Sequence, residues 1–597
     1  MEEIKVEYRQ LIEQYSQEKA LVEKKILWVS VLRLCVFILI ILSGWFAFKM
    51  EQNILWLVLI ILIIAFLFLM KHHAALFNRK SFMSRLIQIN QEEIAALDGD
   101  FSYFASGFEF EIPNHDFSLD LDVFGQKSIF QMINRTSTSY GIKKLANWFN
   151  EPLLEKKEIL KRQSAAAELA GLLNYRQYFR ANGLAVEEKT WELDFLNEWQ
   201  NQENLFYPKS IFKFLLYFIP AINLAAILAY SFSFISVQLL VLSLILTLGF
   251  VGIYQKKIHT RHNLLGKRTA LLEKYIEIFK LVESQIFNDE LLQDLQAQLK
   301  NNGKKAYDKI QGLSNILSAL DTRLNVFVSI PLNAVFIWDI RQIYRMERWK
   351  SMHANELNQW FEVIANLEAL QSIGNLTYNH PHWIFPKISE EEQWKFQKIK
   401  HPLMPSEQCV ANDFMVNKIP HLKVITGANM AGKSTFLRTI GSNLLLAMIG
   451  APVHAELMHF YPIQVMSSLR TTDSLAKSES YFYAEIKRLQ LIMDRLRSGE
   501  QLFVLLDEIL KGTNSKDKEE GSRALLLQLI KLKAVGIIAT HDLSLGKMME
   551  DNSEWIENQC FEVGISNEEL IFDYTIRPGI AQNMNASFLL KKMGIVE

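Results

Sequence analysis

Between Phe214 and Gln255 the chain carries no charged side chain, and residues 54–70 (ILWLVLIILIIAFLFLM) are apolar without a break. A helix crossing a hydrocarbon layer of about 30 Å needs about 20 such residues at 1.5 Å each. Four stretches approach that length. One is 26–48, interrupted only by Arg33, and the next is 54–70. The charge-free stretch divides at Ser231–Ser233 into 212–230 and 235–254. The 54–70 run is short, and it spans if Lys49–Asn53 or Lys71 snorkels to the surface. Lys24, Lys25, Lys71, Arg79 and Lys80 flank the open side of the first pair. Lys209, Lys213, Lys256, Lys257 and Arg261 flank the second. By the positive-inside rule both tight loops point outward and the rest is cytoplasmic. The expectation is an integral protein of a bacterial-type inner membrane.

The remaining composition narrows the choice. Lys and Arg number 64 against 65 Asp and Glu, for a net charge of −1. That excludes a globally basic nucleic-acid binder, and any DNA contact must be local. Half the residues are hydrophobic, which excludes intrinsic disorder. Three cysteines (Cys35, Cys409, Cys560) exclude a disulfide scaffold and a four-cysteine zinc site, and they suit a reducing compartment.

Charge and apolar spacing divide the chain further. Residues 1–25 read as an amphipathic helix, 26–70 as the first hairpin and 71–118 as a connector. Residues 119–205 are helical, 211–255 form the second hairpin, and 262–375 carry apolar residues at helical spacing. The apolar stretch around Pro331 (NVFVSIPLNAVFIW) is a candidate fifth membrane segment, but Asp321, Arg323, Asp339 and Arg341 bracket it closely, which favours a buried core helix. Residues 376–400 read as a linker within a final unit, 376–597. Lys300, Lys304, Lys305 and Lys309 form a small basic cluster, read as a solvated face.

Chemistry concentrates in that last unit. An apolar strand, Leu422–Ile425, runs into Gly427-x4-Gly432-Lys433-Ser434, and a helix follows. This is a P-loop in its confirming context. Backbone amides of Gly427, Ala428, Asn429, Met430, Ala431 and Gly432 can close around phosphates at the helix N-terminus. Lys433 can reach the β- and γ-phosphates of ATP, with Thr435 beside it, and the Ser434 hydroxyl can ligate Mg2+. A second apolar strand, LFVLLDE, ends in Asp507, suited to Mg2+, and Glu508, suited to polarise the attacking water. A third, VGIIATHD, ends in His541, which can contact the γ-phosphate.

The order TGANMAGKSTFLRTIG, TTDSLAKSESYFYAEI, LLDEILKGTNS and ATHD resembles the ABC-type ATPase domain of the MutS family. Upstream, Leu121–Leu153, IANLEALQSI (Ile364–Ile373) and HPL (His401–Leu403) resemble that family's helical core. The resemblance covers about 119–205 and 262–597. Together with the two transmembrane helical hairpins read from the apolar runs, it implies the fold class α+α/β: a helical core and lever domain and a C-terminal ABC-type P-loop ATPase domain. It implies a homodimer through the ATPase domains, with Ser480 as the signature serine completing the partner's ATP site. Gly512–Ser515 corresponds to a loop that meets the partner.

Departures from the family are informative. The family's N-terminal mismatch reader carries a Phe-x-Glu wedge, whereas here two membrane helices and a short helical segment replace it, and Phe108-Glu109-Phe110-Glu111 offers no Phe-x-Glu in the expected Gly-Asp-Phe-Tyr-Glu setting. Ala431 and Ser478 stand where the family has glycine. Cys409–Val410 stand where it has an adenine-stacking aromatic, a role Tyr574 could take over. The leading expectation is a membrane-anchored MutS-like ATPase whose hydrolysis opens and closes helical arms, with DNA as a candidate ligand. The alternatives are a mismatch-binding DNA repair protein and an ABC-type transporter.

Overall fold

The computed structural model describes residues 2–50, 53–188, 199–265, 269–301, 304–405, 407–470, 481–510, 514–548, 552–566 and 569–582. Two antiparallel helices open the chain, α1 (Glu2–Met50) and α2 (Asn53–Leu97). At 1.5 Å per residue α1 is about 70 Å long. The expected amphipathic segment 1–25 is therefore no separate element. No proline or glycine occurs before Gly44 to stop the helix, so it runs on into the apolar stretch. The apolar part leaves its side chains outward, with Trp28 77% and Phe48 79% exposed.

The feet of α1 and α2 dock on a helical core. It comprises α3 (Ile129–Ile133), α4 (Ser139–Asn150), α5 (Lys156–Gly171) and α6 (Leu173–Gly183). The second apolar pair follows as α7 (Ser210–Ser231) and α8 (Val237–Leu265). The core resumes with α9 (Thr269–Ser284), α10 (Glu290–Ala297), the strands β1 (Lys300–Asn301) and β2 (Lys304–Lys305), and α11 (Ala306–Asp321). Then come α12 (Val326–Phe336) and the 42-residue α13 (Trp338–Asn379), which packs along α4 and α5. Among the described residues four helices, α1, α2, α7 and α8, are long and apolar enough to cross a membrane, and α12 with α13 forms a fifth, bent candidate.

Two expectations are corrected. The stretch around Pro331 is not a buried core helix: Val326 is 62% and Phe327 91% exposed, because α12 packs one side only, on α7 and α8. Residues 376–400 are not a plain linker either. Helix α13 continues to Asn379, and β3 (Lys387–Ile388) and β4 (Trp394–Ile399) follow. In WKFQKI the alternation is real: Trp394, Phe396 and Ile399 are buried while charged neighbours point out. The lysine cluster is partly committed, since Lys309 pairs with Glu356 at 3.0 Å and lies over Trp360.

The join between the first hairpin and the core is ionic and buried. Glu93 of α2 accepts from Arg135 (2.6 and 3.1 Å), Asn375 (3.0 Å) and Asn379 (2.9 Å). Arg180 bonds Glu92 at 2.7 Å, and the Tyr8 hydroxyl donates to Asn379. Burial alone would raise the Glu93 carboxyl; Arg135, Arg180 and Asn379 outweigh it and hold the group below the ordinary carboxylate range. Removing one member strands buried charge. Glu93→Ala is expected to cost about 3–5 kcal/mol in stability. Thermal unfolding will read the loss, and limited proteolysis will cut near Gly99 once the hairpin foot is released.

A six-stranded sheet carries the C-terminal unit, in the order β12-β11-β6-β10-β9-β8. Its members are β6 (His421–Gly427), β8 (Gln464–Ser468), β9 (Leu502–Asp507), β10 (Val535–Thr540), β11 (Ile556–Ser566) and β12 (Glu569–Pro578). All neighbours are parallel except β11 and β12. A smaller sheet, β3-β7-β4-β5, adds β5 (Asn412–Val416) and β7 (Leu457–Phe460). The β6, β9 and β10 strands are buried on both faces, which explains their unbroken apolar runs.

One hydrophobic core runs from the helices through the sheet. The segment before α3 is clamped to the sheet: Asp120 accepts from the Ser467 hydroxyl and from the amides of Leu469 and Arg470. At the end of α13, Trp383 stacks between His380 (4.5 Å) and His454 (5.0 Å). Burial drives His380, His401 and His454 each down to about 4. These rings stay neutral in the fold while the unfolded chain protonates near pH 6.5. Their contribution is therefore present above pH 6.5 and is lost as pH falls through 4. Melting temperature at constant ionic strength is expected to decline over that window, and His454→Phe, which keeps the stack, flattens the decline.

Candidate functional site

The C-terminal ends of β6, β9 and β10 lie at one edge of the parallel sheet, where open α/β sheets bind ligands. From β6 the chain turns through Ala428–Gly432 into α14 (Lys433–Met448), whose N-terminus faces that edge. Two glycines shape the turn. A side chain at Gly427 would lie 2.8 Å from the Phe561 carbonyl. Gly432 has φ 106° and would meet the Tyr574 ring at 3.2 Å. Ala431 is buried inside the loop, and Met430, at φ 67°, stands out at its apex.

Lys433 is buried, and its ammonium donates to the carbonyls of Gly427 (2.7 Å) and Ala428 (2.9 Å). A cation held on the rim of a loop of amides is placed to exchange those carbonyls for phosphate oxygens. The Ser434 hydroxyl donates to the Asp507 carboxylate at the end of β9, across 73 residues of sequence. A hydroxyl and a carboxylate brought together at a helix N-terminus fit a hard, oxygen-liganded cation such as Mg2+.

Glu508 follows Asp507 in the left-handed region, φ 52°, with its amide donating to the Ala539 carbonyl (2.8 Å). That turn swings its carboxylate toward the third strand, where His541 Nδ1 lies 3.5 Å away. The other imidazole nitrogen is 3.2 Å from the Lys518 ammonium on α16 (Ser515–Lys531). An acid beside an imidazole, next to the cation pair, can hold and deprotonate a water.

A cavity of about 470 Å³ opens on this edge. It is lined by Asn429, Met430, Lys433, Ser434, Thr435 and Glu508 on one side and by Cys409, Val410 and Tyr574 on the other. Tyr574 is stacked on Phe572 and half-exposed, a flat apolar surface beside the loop. Thus Gly427 through Thr435, Asp507, Glu508, His541 and Tyr574 converge. Ser480, Ser478, Gly512 and Thr513 lie outside the described residues. Asn514 is described, and its side chain caps α16.

Three contributors carried no sequence signal. Asn412 accepts from the Ile576 amide and donates to the Tyr574 carbonyl, fixing the ring's strand from 162 residues away. Glu485 of α15 (Tyr481–Arg497) accepts from the Leu510 amide and secures the turn after Glu508. Lys518 is one of several lysines in a charged helix, and only the fold selects it.

A sheet edge that gathers a glycine-bounded loop, a hydroxyl–carboxylate pair and an acid–imidazole pair belongs to phosphate-binding α/β proteins. The family model for MutS domain V matches residues 423–591, and that for MutS domain III matches 111–187. A DNA mismatch repair protein MutS of Thermotoga sp. (strain RQ2) is 28% identical over 249 residues, covering 41% of this chain and 30% of that protein. One from Ehrlichia chaffeensis is 30% identical over 229 residues, covering 38% and 28%. One from Acetivibrio thermocellus is 25% identical over 328 residues, covering 54% and 36%. Residues 111–187 and 423–591 thus carry domains of the MutS family. The chain matches about a third of the length of these curated relatives.

Proposed function

We propose that the chain is a membrane-anchored MutS-like ATPase, acting as a homodimer, in which ATP binding and hydrolysis open and close the helical arms. The observation that carries this reading is the meeting of Lys433, the Ser434–Asp507 pair and the Glu508–His541 pair at one sheet edge. The loop amides and Lys433 bind the triphosphate, and Tyr574 stacks on the base. Ser434 and Asp507 would hold Mg2+, which would supply charge neutralisation for the triphosphate. Glu508 takes a proton from water as its oxygen attacks the γ-phosphorus, and the bond to the bridging oxygen breaks to leave ADP and inorganic phosphate. His541 orients Glu508 and the departing phosphate. Ser480 of a second subunit closes each site.

The membrane part of the proposal rests on four long apolar helices with outward apolar faces and on lysines and arginines at their open ends. The ATPase unit then lies in the cytoplasm. The arms are the core helices α9 to α11 and α13. Because Asp120 and Trp383 tie that core to the sheet, closure of the nucleotide site moves it.

A second reading, recognition of mismatched DNA, is favoured by the relatives, which are DNA mismatch repair proteins. The test is ATPase activity of the detergent-purified protein with and without duplex, mismatched and branched DNA. Salt-dependent binding with preference for a mismatch supports repair; no salt slope sinks it. Dimerisation is tested by mixing Lys433→Ala and Ser480→Arg subunits. Mixed sites are expected to recover at most one working site per dimer, and no recovery above the two single variants overturns the shared site.

A further inference from the structure

Helix α12 is apolar and outward-facing at a place where the chain is otherwise a packed core. Leu324 is 74%, Phe327 91% and Ile330 52% exposed, and no charged residue occurs from Leu324 to Trp338. The opposite side packs on α7 and α8, so its exposed face adjoins the apolar faces of the second hairpin.

The chain turns by 79° between α12 and α13, at Ile337 with φ 45°. A helix break in apolar surroundings is tolerated only where the freed backbone groups find partners. Here side chains supply them. The Asn223 amide donates to the carbonyls of Ala334 (3.0 Å) and Val335 (3.3 Å) and to the Thr247 hydroxyl. The Asp339 amide donates to the Asn333 side chain at 3.0 Å. Asn223 is 1% exposed at the middle of α7, and Thr247 lies well inside α8, so the break is at mid-depth of the hairpin.

The excursion starts at the hairpin's open side, and the first turn of α13 returns toward it. Arg323, just before it, faces Asp339, just after it, at 3.5 Å, both buried. Asp321 takes His262 at 2.7 Å, beside the end of α8 remote from the Ser231–Val237 turn. Arg341 donates to the Leu216 carbonyl near the corresponding end of α7.

We propose that Leu324–Ile337 is a re-entrant segment. It enters the bilayer beside the second hairpin, reaches the middle and leaves by the same face, with Leu324, Val326, Phe327 and Ile330 against lipid acyl chains. This rests on the membrane-anchored reading. It makes the break the lipid-seated end of α13, the helix that runs to the ATPase unit.

The test uses full-length protein in which Cys35, Cys409 and Cys560 are serine, reconstituted in phosphatidylcholine vesicles with or without bromine on the acyl chains. A single cysteine replaces Phe327, Ile245 of the second hairpin, or Ile286, which is 81% exposed outside it, and carries an environment-sensitive fluorophore. Emission from positions 327 and 245 is expected to fall at least about twofold in brominated lipid, since both lie within reach of acyl chains, and position 286 stays unchanged. Quenching at 245 but not at 327 overturns the re-entrant segment alone. Efficient 327-to-327 cross-linking without quenching overturns it in favour of a second copy. Quenching at neither position overturns the membrane reading with it. An unchanged melting temperature and size-exclusion profile of each labelled variant against the cysteine-free background establishes that the protein remains folded.

Discussion

Lys433→Ala is expected to remove nucleotide binding. The Lys433 ammonium is buried and spans the loop from inside, bonded to Gly427 and Ala428. Alanine leaves two inward carbonyls without that donor and, in the nucleotide-bound form, takes away the cation nearest the β- and γ-phosphates. A charge-assisted contact of this kind contributes about 2–4 kcal/mol, or roughly 30- to 1,000-fold in affinity. Titration of a fluorescent ATP analogue measures it directly. Lys433→Arg retains the charge but not the compact fit, so partial recovery is expected there. An unchanged affinity in Lys433→Ala would remove the phosphate assignment for the whole loop.

Glu508→Gln is expected to separate binding from turnover. The side chain lies beside His541, and its backbone is held by the Ala539 carbonyl in a conformation glutamine shares. The substitution therefore preserves shape and removes only the base. Turnover is expected to fall about 100- to 10,000-fold, the usual contribution of a positioned general base. ATP stays bound, and the closed dimer accumulates. Single-turnover hydrolysis and size-exclusion chromatography with ATP read the two effects. Hydrolysis at the parent rate would remove Glu508 from the base role and shift attention to His541 and Lys518.

Much of the site was legible because its chemistry is written in contiguous residues. Gly427-x4-Gly432-Lys433-Ser434 must follow a strand and open a helix to work, and both neighbours were visible as an apolar run and a helical pattern. Asp507, Glu508 and His541 each end a buried parallel strand, so their position in the sheet follows from strand length alone. Asn412, Glu485 and Lys518 were not legible. Each acts through a partner far away in the chain or chosen from several equivalent residues, and no local period encodes that.

The misreadings have the same cause. The stretch around Pro331 was assigned to the core from the charges that bracket it. Those charges pair with one another, Arg323 with Asp339, which lets the stretch lie outside the core. The 376–400 segment looked like a linker because a Pro- and aromatic-containing stretch is followed by the charged EEEQWKFQKIK, and the buried face emerges only when β5 and β7 pair with it.

The sequence by itself determined what is local: four apolar spans, a glycine-bounded loop with its following helix, and the strands that end in acids and histidine. These depend on periodicity, charge and backbone freedom within a few turns of chain. Only the tertiary structure decided how the parts are joined. The buried Glu93–Arg135–Arg180 cluster seats the first hairpin on the core, Asn223 closes the break beside the second, and Trp383 between two histidines couples α13 to the sheet. Each is a contact between residues distant in sequence, favourable only once folding has removed water from both partners.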